Sequence, residues 1–270
     1  MRFLFKLTAA AVLTAALTTP FAGQVQANEK IKIGVTPGAH EEVMEEVVKV
    51  AATKGLDIEI ISFSDYVIPN QALDDGDLQA NSFQHKPYLD NQIRDRGYDL
   101  AIVGYNILTP MGIYSDKIKS LDELADGAQI GIPNDPTNGG RALLVLQTQG
   151  LIKVDPEVGL VVSPLDIIEN PKNIKFVELD AAQLPRSLAD LDASAINTNY
   201  ALEAGLNPIK DSIVIEGNDS PYANVIVTRT QDKDAPWVKT LVEAYHDDAI
   251  RDFIETKYEG SVLPVFKITE

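Results

Sequence analysis

Segments typical of strands and of helices alternate along the chain from residue 31 onward, and this alternation constrains the fold more than any other feature. Residues 31–35 alternate between apolar and other side chains, as a strand does. Residues 41–54 place apolar side chains on one face of a helix that ends at Gly55. The alternation continues to a long C-terminal helix predicted over 236–258. Because strands that alternate with helices build parallel sheets flanked by helices, we predict an α/β fold.

Two breaks in the alternation predict two lobes, each a mainly parallel sheet flanked by helices. Proline and glycine lie close together between Pro110 and Gly112, and a second break is predicted at 200–205. Two crossings build the first lobe from both ends of the chain. The predicted division gives residues 28–108 and 204–270 to lobe I and residues 109–203 to lobe II, with a ligand cleft between the lobes.

The first 27 residues have the pattern of a cleaved signal peptide. Arg2 and Lys6 supply positive charge before a short apolar stretch, residues 7–18, which Pro20 ends. Residues 25–27, Val-Gln-Ala, place small side chains at the spacing that a signal peptidase cuts. The alternative is an N-terminal membrane anchor, which needs a longer apolar run than this one.

Composition excludes several classes of function. The chain contains no cysteine, which excludes disulfides, zinc–thiolate sites and a cysteine nucleophile. The absence also removes the residue to which a bacterial lipid anchor is attached, so a secreted periplasmic protein without an anchor is predicted. A net charge of −17 disfavours nucleic acid and anionic lipid as partners.

The run from Pro133 to Arg141, P-N-D-P-T-N-G-G-R, contains the first candidate ligand-binding residue. It follows a predicted strand and opens a helix, where backbone N–H groups and the helix dipole attract anions. The helix dipole disfavours a cation in the first turn. Arg141 at this position is more easily explained if a bound anion neutralises both its charge and the positive end of the dipole. A guanidinium also binds a carboxylate through two parallel hydrogen bonds. Binding of a ligand carboxylate and a structural salt bridge to an acidic residue both remain open for Arg141.

Two further groups of residues are candidates for a ligand pocket. Phe83, His85 and Tyr88 crowd ring-bearing side chains at the end of a predicted strand, with Tyr66 upstream. Ligands bind at strand ends in open α/β sheets, and aromatic rings pack well against thioethers. The second group is a pair of amides, Asn197 and Asn224, each of which could bind an ammonium and a carboxylate at once. The alternatives are core packing for the rings and turn or cap formation for the amides.

Catalytic patterns are absent from the sequence. None of the three histidines stands at metal-ligand spacing from another, and Gly-x-Ser-x-Gly does not occur. His246 lies beside two aspartates on the predicted C-terminal helix and is interpreted as a solvated surface residue. We therefore predict a binding protein without cofactor, metal or catalytic residue, and the rival hypotheses are an enzyme on the same scaffold and a secreted surface protein.

Taken together, these segments resemble the methionine-binding lipoproteins of the NlpA type, the substrate-binding subunits of methionine ABC importers. The likeness extends over nearly the whole chain after the leader. The stretches that carry it are Ile33–Gly38, Phe63–Val67, Pro69-Asn70, Phe83–His85, Pro87–Leu89, Ile132–Arg141, Ile167–Asn173, Gln183–Arg186, Ile196-Asn197 and Ser220–Tyr222.

The resemblance implies a two-lobed periplasmic binding protein fold of the type II-like class, which captures L-methionine and delivers it to an inner-membrane ABC permease. It also implies roles for seven residues. The side-chain pocket would be lined by Tyr66, Phe83, His85 and Tyr88. Arg141 would pair with the substrate carboxylate, and Asn197 and Asn224 would hold the amino-acid head. A methionine-containing dipeptide or another apolar amino acid is the alternative ligand, and a monomer is expected.

Three positions depart from the family pattern. Ala27-Asn28 stands where the family carries its lipid-modified cysteine, which agrees with a protein that is not tethered to the membrane. Ser82 replaces an aromatic residue and would either enlarge the pocket or alter its outer wall. Residues 105–111 also differ from the usual sequence, near the predicted first crossing between the lobes.

Overall fold

The computed structural model describes residues 29–266 of the chain, so the predicted signal peptide lies outside the described residues. The α-helices are α1 (Ala39–Thr53), α2 (Ile68–Asp74), α3 (Lys86–Arg96), α4 (Pro136–Thr148), α5 (Thr198–Glu203), α6 (Pro236–Tyr245) and α7 (Asp248–Tyr258). The strands are β1 (Glu29–Val35), β2 (Leu56–Ser62), β3 (Ala80–His85), β4 (Leu100–Tyr105), β5 (Ile107–Leu108), β6 (Gly112–Tyr114), β7 (Gln129–Pro133), β8 (Lys153–Val154), β9 (Ile167–Glu169), β10 (Lys175–Leu179), β11 (Ala193–Ile196), β12 (Val214–Ile215), β13 (Asn224–Arg229) and β14 (Leu263–Pro264). Short 3-10 turns link several of them.

Two five-stranded sheets form the two lobes, which confirms the predicted α/β class. The first has the strand order β2-β1-β3-β13-β4, and the second has the order β10-β7-β11-β6-β12. In the first sheet β1, β2 and β3 are parallel, whereas β13 runs antiparallel to both of its neighbours. In the second sheet β7, β10 and β11 are parallel, and β6 runs antiparallel to β11 and β12.

The chain passes between the sheets twice, and the second crossing lies later than predicted. The first sheet takes its strands from residues 29–105 and from β13, and the second takes its strands from residues 112–215. β12 pairs with β6, so the assignment of residues 204–215 to lobe I is wrong. The signal that would place the crossing correctly is weak, because β12 is only two residues long. The connections between the two five-stranded sheets are residues 106–111, which include β5, and residues 216–223.

The long C-terminal helix predicted over 236–258 is two helices. α6 ends at Tyr245, and Asp247 adopts an extended conformation before α7 begins. The Asp247 side chain accepts a hydrogen bond from the Ala249 amide, 3.2 Å away, and so acts as the N-cap of α7. At the break, the Nε2–H group of His246 donates to the Tyr105 carbonyl oxygen over 2.7 Å, and the ring stacks on Phe266. His246 is therefore half-buried, and its interpretation as a solvated surface residue is wrong.

Apolar side chains fill the space between each sheet and its helices. The largest cluster packs β1, β2, α1, α6 and α7 together, and a second cluster packs β7 and β11 against α4. The carboxyl ends of the parallel strands in both sheets are left facing the space between the lobes, where ligands bind in sheets of this kind. Within residues 29–266 no helix is long and apolar enough to span a bilayer.

Candidate functional site

A small pocket lies between the two lobes, and measured with a water-sized probe its volume is about 20 Å³. All seven residues predicted from the sequence contribute to its wall. The lining residues are His40, Tyr66, Phe83, Gln84, His85, Tyr88, Thr109, Asn138, Arg141, Asn197, Asn199 and Asn224.

The topology explains why residues so far apart in sequence meet here. Phe83 and His85 lie at the carboxyl end of β3, and the antiparallel pairing of β13 sets Asn224 directly opposite His85. Asn197 follows β11, and Arg141 lies on α4, the helix that follows β7. The site therefore combines strand ends from both lobes.

Three aromatic rings form the apolar end of the cavity. The ring centroids of Tyr66, Phe83 and Tyr88 lie 6.1 to 6.2 Å from one another in tilted and edge-to-face arrangements. The Tyr66 hydroxyl donates to the Asn199 side-chain oxygen over 2.6 Å, and the Tyr88 hydroxyl donates to the Tyr66 carbonyl over 2.8 Å. These bonds fix the rings and leave their faces for an apolar ligand group.

His85 is held as a neutral imidazole of defined orientation. Its Nδ1 accepts from the Tyr88 amide over 3.1 Å, so the ring proton is assigned to Nε2, which faces the Asn138 side-chain oxygen 3.2 Å away. Burial, and then the charge of Arg141, lowers the pKa of His85 to about 3. The imidazole is uncharged at neutral pH and provides an oriented polar surface.

Arg141 is buried, with 1% of its surface exposed, and its guanidinium is already partly engaged. Nε donates to both Glu216 carboxylate oxygens over 3.1 Å, and Nη2 donates to Glu216 and, over 2.9 Å, to the Thr109 carbonyl oxygen. The Tyr222 ring lies against the guanidinium, 4.5 Å from its carbon to the ring centroid. The structural salt bridge is thus present, and among the described residues Nη1 has no hydrogen-bond partner. A ligand carboxylate would meet Nη1, whereas the fork of Nε and Nη2 holds Glu216.

The start of α4 is closed to ligands by its own cap, contrary to the expectation of free N–H groups there. The Asp135 side chain accepts from the amides of Thr137 and Asn138 over 3.2 and 2.9 Å, and its carbonyl accepts from Gly139. The two glycines serve packing, since a Cβ on Gly139 or Gly140 would lie within 2.7 Å of a carbonyl oxygen. The sequence pattern of a helix cap and that of an anion site overlap at this point, and the cap is what forms.

Several polar atoms at the cavity lack partners within the described residues. The Asn197 side-chain oxygen, the Asn199 side-chain nitrogen and the His40 Nδ1 are buried without a hydrogen bond. Asn197 is oriented by its own nitrogen, which donates to Asn138 over 2.8 Å, so its oxygen is left as an acceptor. Buried polar atoms are almost always satisfied in folded proteins, so these atoms point to a polar ligand or to bound water.

Sequence reasoning missed Glu216 and five of the lining residues. Asn138 lies within the run ending at Arg141, where helix-cap composition hid its role, and Asn199 lies two residues after the predicted Asn197. His40 and Thr109 have no local signal, because their place at the cavity depends on the pairing of β1 with β3 and on the path of the first connection between the lobes. Gln84 was not predicted, because it lies between two ring-bearing residues to which the pocket was assigned.

Ser82 does not line the cavity. It is fully buried and accepts a hydrogen bond from Asn106 over 2.7 Å, with the Tyr245 hydroxyl 3.4 Å away. Strand alternation turns it towards the core beneath α6. The departure from the family pattern at this position therefore affects the core and the first connection between the lobes, and not the pocket wall.

Comparison with known proteins agrees with this arrangement. The family model described as NlpA lipoprotein matches residues 31–266. The chain belongs to the NlpA lipoprotein family. Among curated NlpA relatives, the D-methionine-binding lipoprotein MetQ of Salmonella typhimurium is 52% identical over 97% of this chain and 99% of its own.

Solved structures extend the likeness to three dimensions. A nutrient-binding protein from Burkholderia cenocepacia bound to methionine is 52% identical, has a TM-score of 0.86 and covers 87% of this chain and 100% of its own. A periplasmic substrate-binding protein of an ABC transporter from Coxiella burnetii is 46% identical, with a TM-score of 0.84 over 87% of this chain and 100% of its own. The chain therefore has the fold of periplasmic substrate-binding proteins.

Proposed function

We propose that this protein captures methionine between its lobes and delivers it to an ABC importer in the inner membrane. The observation that carries the proposal is one cavity with an aromatic end and a polar end. The polar end offers a buried guanidinium and an unpartnered amide oxygen. A methionine-bound relative and an ABC transporter substrate-binding protein, both of the same fold, support it.

Each part of the ligand has a complementary group. The thioether would pack against Phe83, Tyr66 and Tyr88, since sulfur makes favourable contacts with aromatic rings. The carboxylate would accept from Nη1 of Arg141, and the ammonium would donate to the Asn197 side-chain oxygen. Asn224, whose amide nitrogen is 3.4 Å from the Thr109 hydroxyl, would complete the contacts to the amino-acid head.

Closure of the lobes is the proposed signal to the permease. Contacts across the cavity, such as Tyr66 to Asn199 and His85 to Asn138, join lobe I to lobe II around the ligand position. A ligand that touches both lobes favours the closed form by its differential affinity for it. The closed form, with its two lobe surfaces in fixed relation, is then what the permease recognises.

The small cavity favours a single amino acid over a dipeptide. A Salmonella relative is named for the D-enantiomer, and inversion at the α-carbon exchanges the ammonium with a hydrogen while leaving the side chain available to the rings. We propose L-methionine as the ligand, with D-methionine, glycyl-methionine and leucine as the competing ligands to be measured.

Calorimetric titration of unfolded and refolded, ligand-stripped protein tests the proposal. L-methionine should bind one to one, and Arg141→Ala should abolish the heat. Stronger binding of D-methionine, the dipeptide or leucine would keep the class of function and replace the ligand. No binding across the whole panel would overturn the proposal.

We further propose that the protein works in the periplasm as a monomer without a lipid anchor and without turning over its ligand. The absence of cysteine, the residue to which a bacterial lipid anchor is attached, supports the proposal that the protein has no anchor. Osmotic shock of expressing cells should release the protein, and membrane retention would contradict this. Methionine recovered unchanged after long incubation would agree with binding alone, and a new product would contradict it.

A further inference from the structure

Glu216 forms an ion pair with the buried guanidinium of Arg141. Its carboxylate accepts from Nε and Nη2 of Arg141, from the Met111 amide over 3.1 Å and from the Ser220 hydroxyl over 3.0 Å. Met111 lies in the first connection between the lobes, and Glu216 and Ser220 lie in the second. The carboxylate is thus fixed by the backbone on one side and by the guanidinium on the other.

The charges around the cavity do not favour an anion. Among the described lining residues, Arg141 carries the permanent positive charge. Burial lowers the pKa of His40 to about 4 and that of His85 to about 3, so both are neutral at physiological pH. Asp135 adds a carboxylate that holds Asn138 through a 2.9 Å hydrogen bond. The permanent cation among the described lining residues is therefore already paired with the Glu216 carboxylate.

We infer that Glu216 is a specificity-determining residue, which makes a free ammonium group a requirement for binding. The inference rests on the proposed function, since it concerns the same ligand. A carboxylate added to a pair that is already neutral is a buried negative charge, which is costly without a compensating partner. The ammonium of an amino acid compensates the negative charge of its carboxylate, and it can donate to the unpartnered Asn197 oxygen. An acid of the same shape without the ammonium has no positive group to compensate its carboxylate.

The test compares two ligands on the same protein. L-methionine and 4-(methylthio)butanoate share the thioether chain and the carboxylate and differ in the ammonium. Their dissociation constants are measured by calorimetry on the wild type and on Glu216→Gln, which keeps the shape and removes the charge. Glu216→Asp keeps the charge, and Glu169→Gln makes the same change at an exposed position, with 63% of the side chain exposed.

The wild type should prefer methionine by roughly hundredfold or more, as expected when a buried charge is left uncompensated. In Glu216→Gln that preference should shrink by roughly tenfold or more, mainly because the butanoate binds better to a guanidinium that has lost its partner. Glu216→Asp and Glu169→Gln should keep the wild-type preference.

An equal loss of affinity for both ligands in Glu216→Gln would mean that Glu216 only positions Arg141, and it would overturn the inference. If Glu216→Gln does not fold, a measurement on the wild type alone tests the inference. The wild type should bind the amide of methionine, which keeps the ammonium and lacks the carboxylate, more tightly than the butanoate. The reverse order of affinities contradicts the inference. Absence of methionine binding to the wild type contradicts the proposed function itself, whereas an unchanged preference in Glu216→Gln contradicts the inference alone.

Discussion

Gly38 is the residue at which closure of the lobes leaves no room for a side chain. Its φ of +82° favours glycine, and a Cβ there would lie 2.5 Å from the Asn199 carbonyl oxygen on the other lobe. Two separate constraints, backbone conformation and contact between the lobes, therefore act on the same position.

Gly38→Ala should weaken methionine binding by roughly tenfold or more, since overpacking of this kind costs about 1–3 kcal/mol in the closed form. Gly205→Ala is the matched control, because Gly205 has a φ of +81° with nothing within 4 Å of the added Cβ. Calorimetry gives the affinities, and small-angle scattering with excess ligand reports closure. Equal effects of the two substitutions would show that backbone strain, and not contact between the lobes, is responsible.

Among single residues, the sequence predicted those cavity residues whose position follows from their immediate neighbours in the chain. Rings at a strand end and an arginine after a strand both identified cavity residues, since strand ends and helix starts lie on the same edge of a sheet. The partner of Arg141 could not be found in this way. Glu216 lies 75 positions away along the chain, on a connection whose place depends on the pairing of a two-residue strand.

The break between α6 and α7 depends on one side chain. Asp247 accepts from the Ala249 amide and also lies 3.7 Å from the Lys54 ammonium. The sequence carried this signal, because aspartate is a preferred N-cap, but the apolar periodicity on both sides favoured one continuous helix. Periodicity describes which face is buried and says little about a change of axis between two helices that bury the same core.

Asp247→Ala should lower the free energy of unfolding by about 1 kcal/mol, the usual contribution of an N-cap, with methionine affinity unchanged. Asp248→Ala is the control, since that side chain is 96% exposed and its nearest cation, Arg251, is 3.9 Å away. Urea denaturation of the two variants gives the comparison. A loss from Asp248→Ala as large as that from Asp247→Ala would contradict the assignment of the cap.

For the whole molecule, the two buried histidines predict how stability depends on pH. The pKa of His40 falls to about 4 and that of His85 to about 3 in the folded protein, both chiefly through burial. In the unfolded chain each lies near 6.5, so below that pH the unfolded state binds more protons than the folded state. Stability contributed by the neutral histidines is therefore present above about pH 6.5 and is lost as the pH falls.

The free energy of unfolding of the ligand-free protein should drop between pH 6.5 and pH 5, by up to about 1.4 kcal/mol per pH unit for each histidine. His85→Gln should show a shallower slope than the wild type over this interval, measured by urea denaturation at several pH values. Most carboxylates remain ionised there, which isolates the histidines. Parallel slopes for the two proteins would show that His85 does not contribute.

The overall architecture followed from the sequence because strand–helix alternation has few solutions, and a parallel sheet flanked by helices is the common one. The division into lobes was less accessible. Its first boundary coincides with a proline and glycine cluster, whereas the second depends on β12, whose pairing with β6 is a contact between distant segments. Local sequence patterns therefore predict helices and strands, whereas the lobe that a strand joins depends on its pairing with a strand far away in the sequence.

The position of β13 has a consequence for how the chain is made. This strand lies between β3 and β4, so the first sheet stays divided until residue 229 has been synthesised, whereas the second sheet has all its strands by residue 215. The order of completion is therefore the reverse of the order of synthesis. A chain that folds as it is synthesised therefore completes its second sheet before its first.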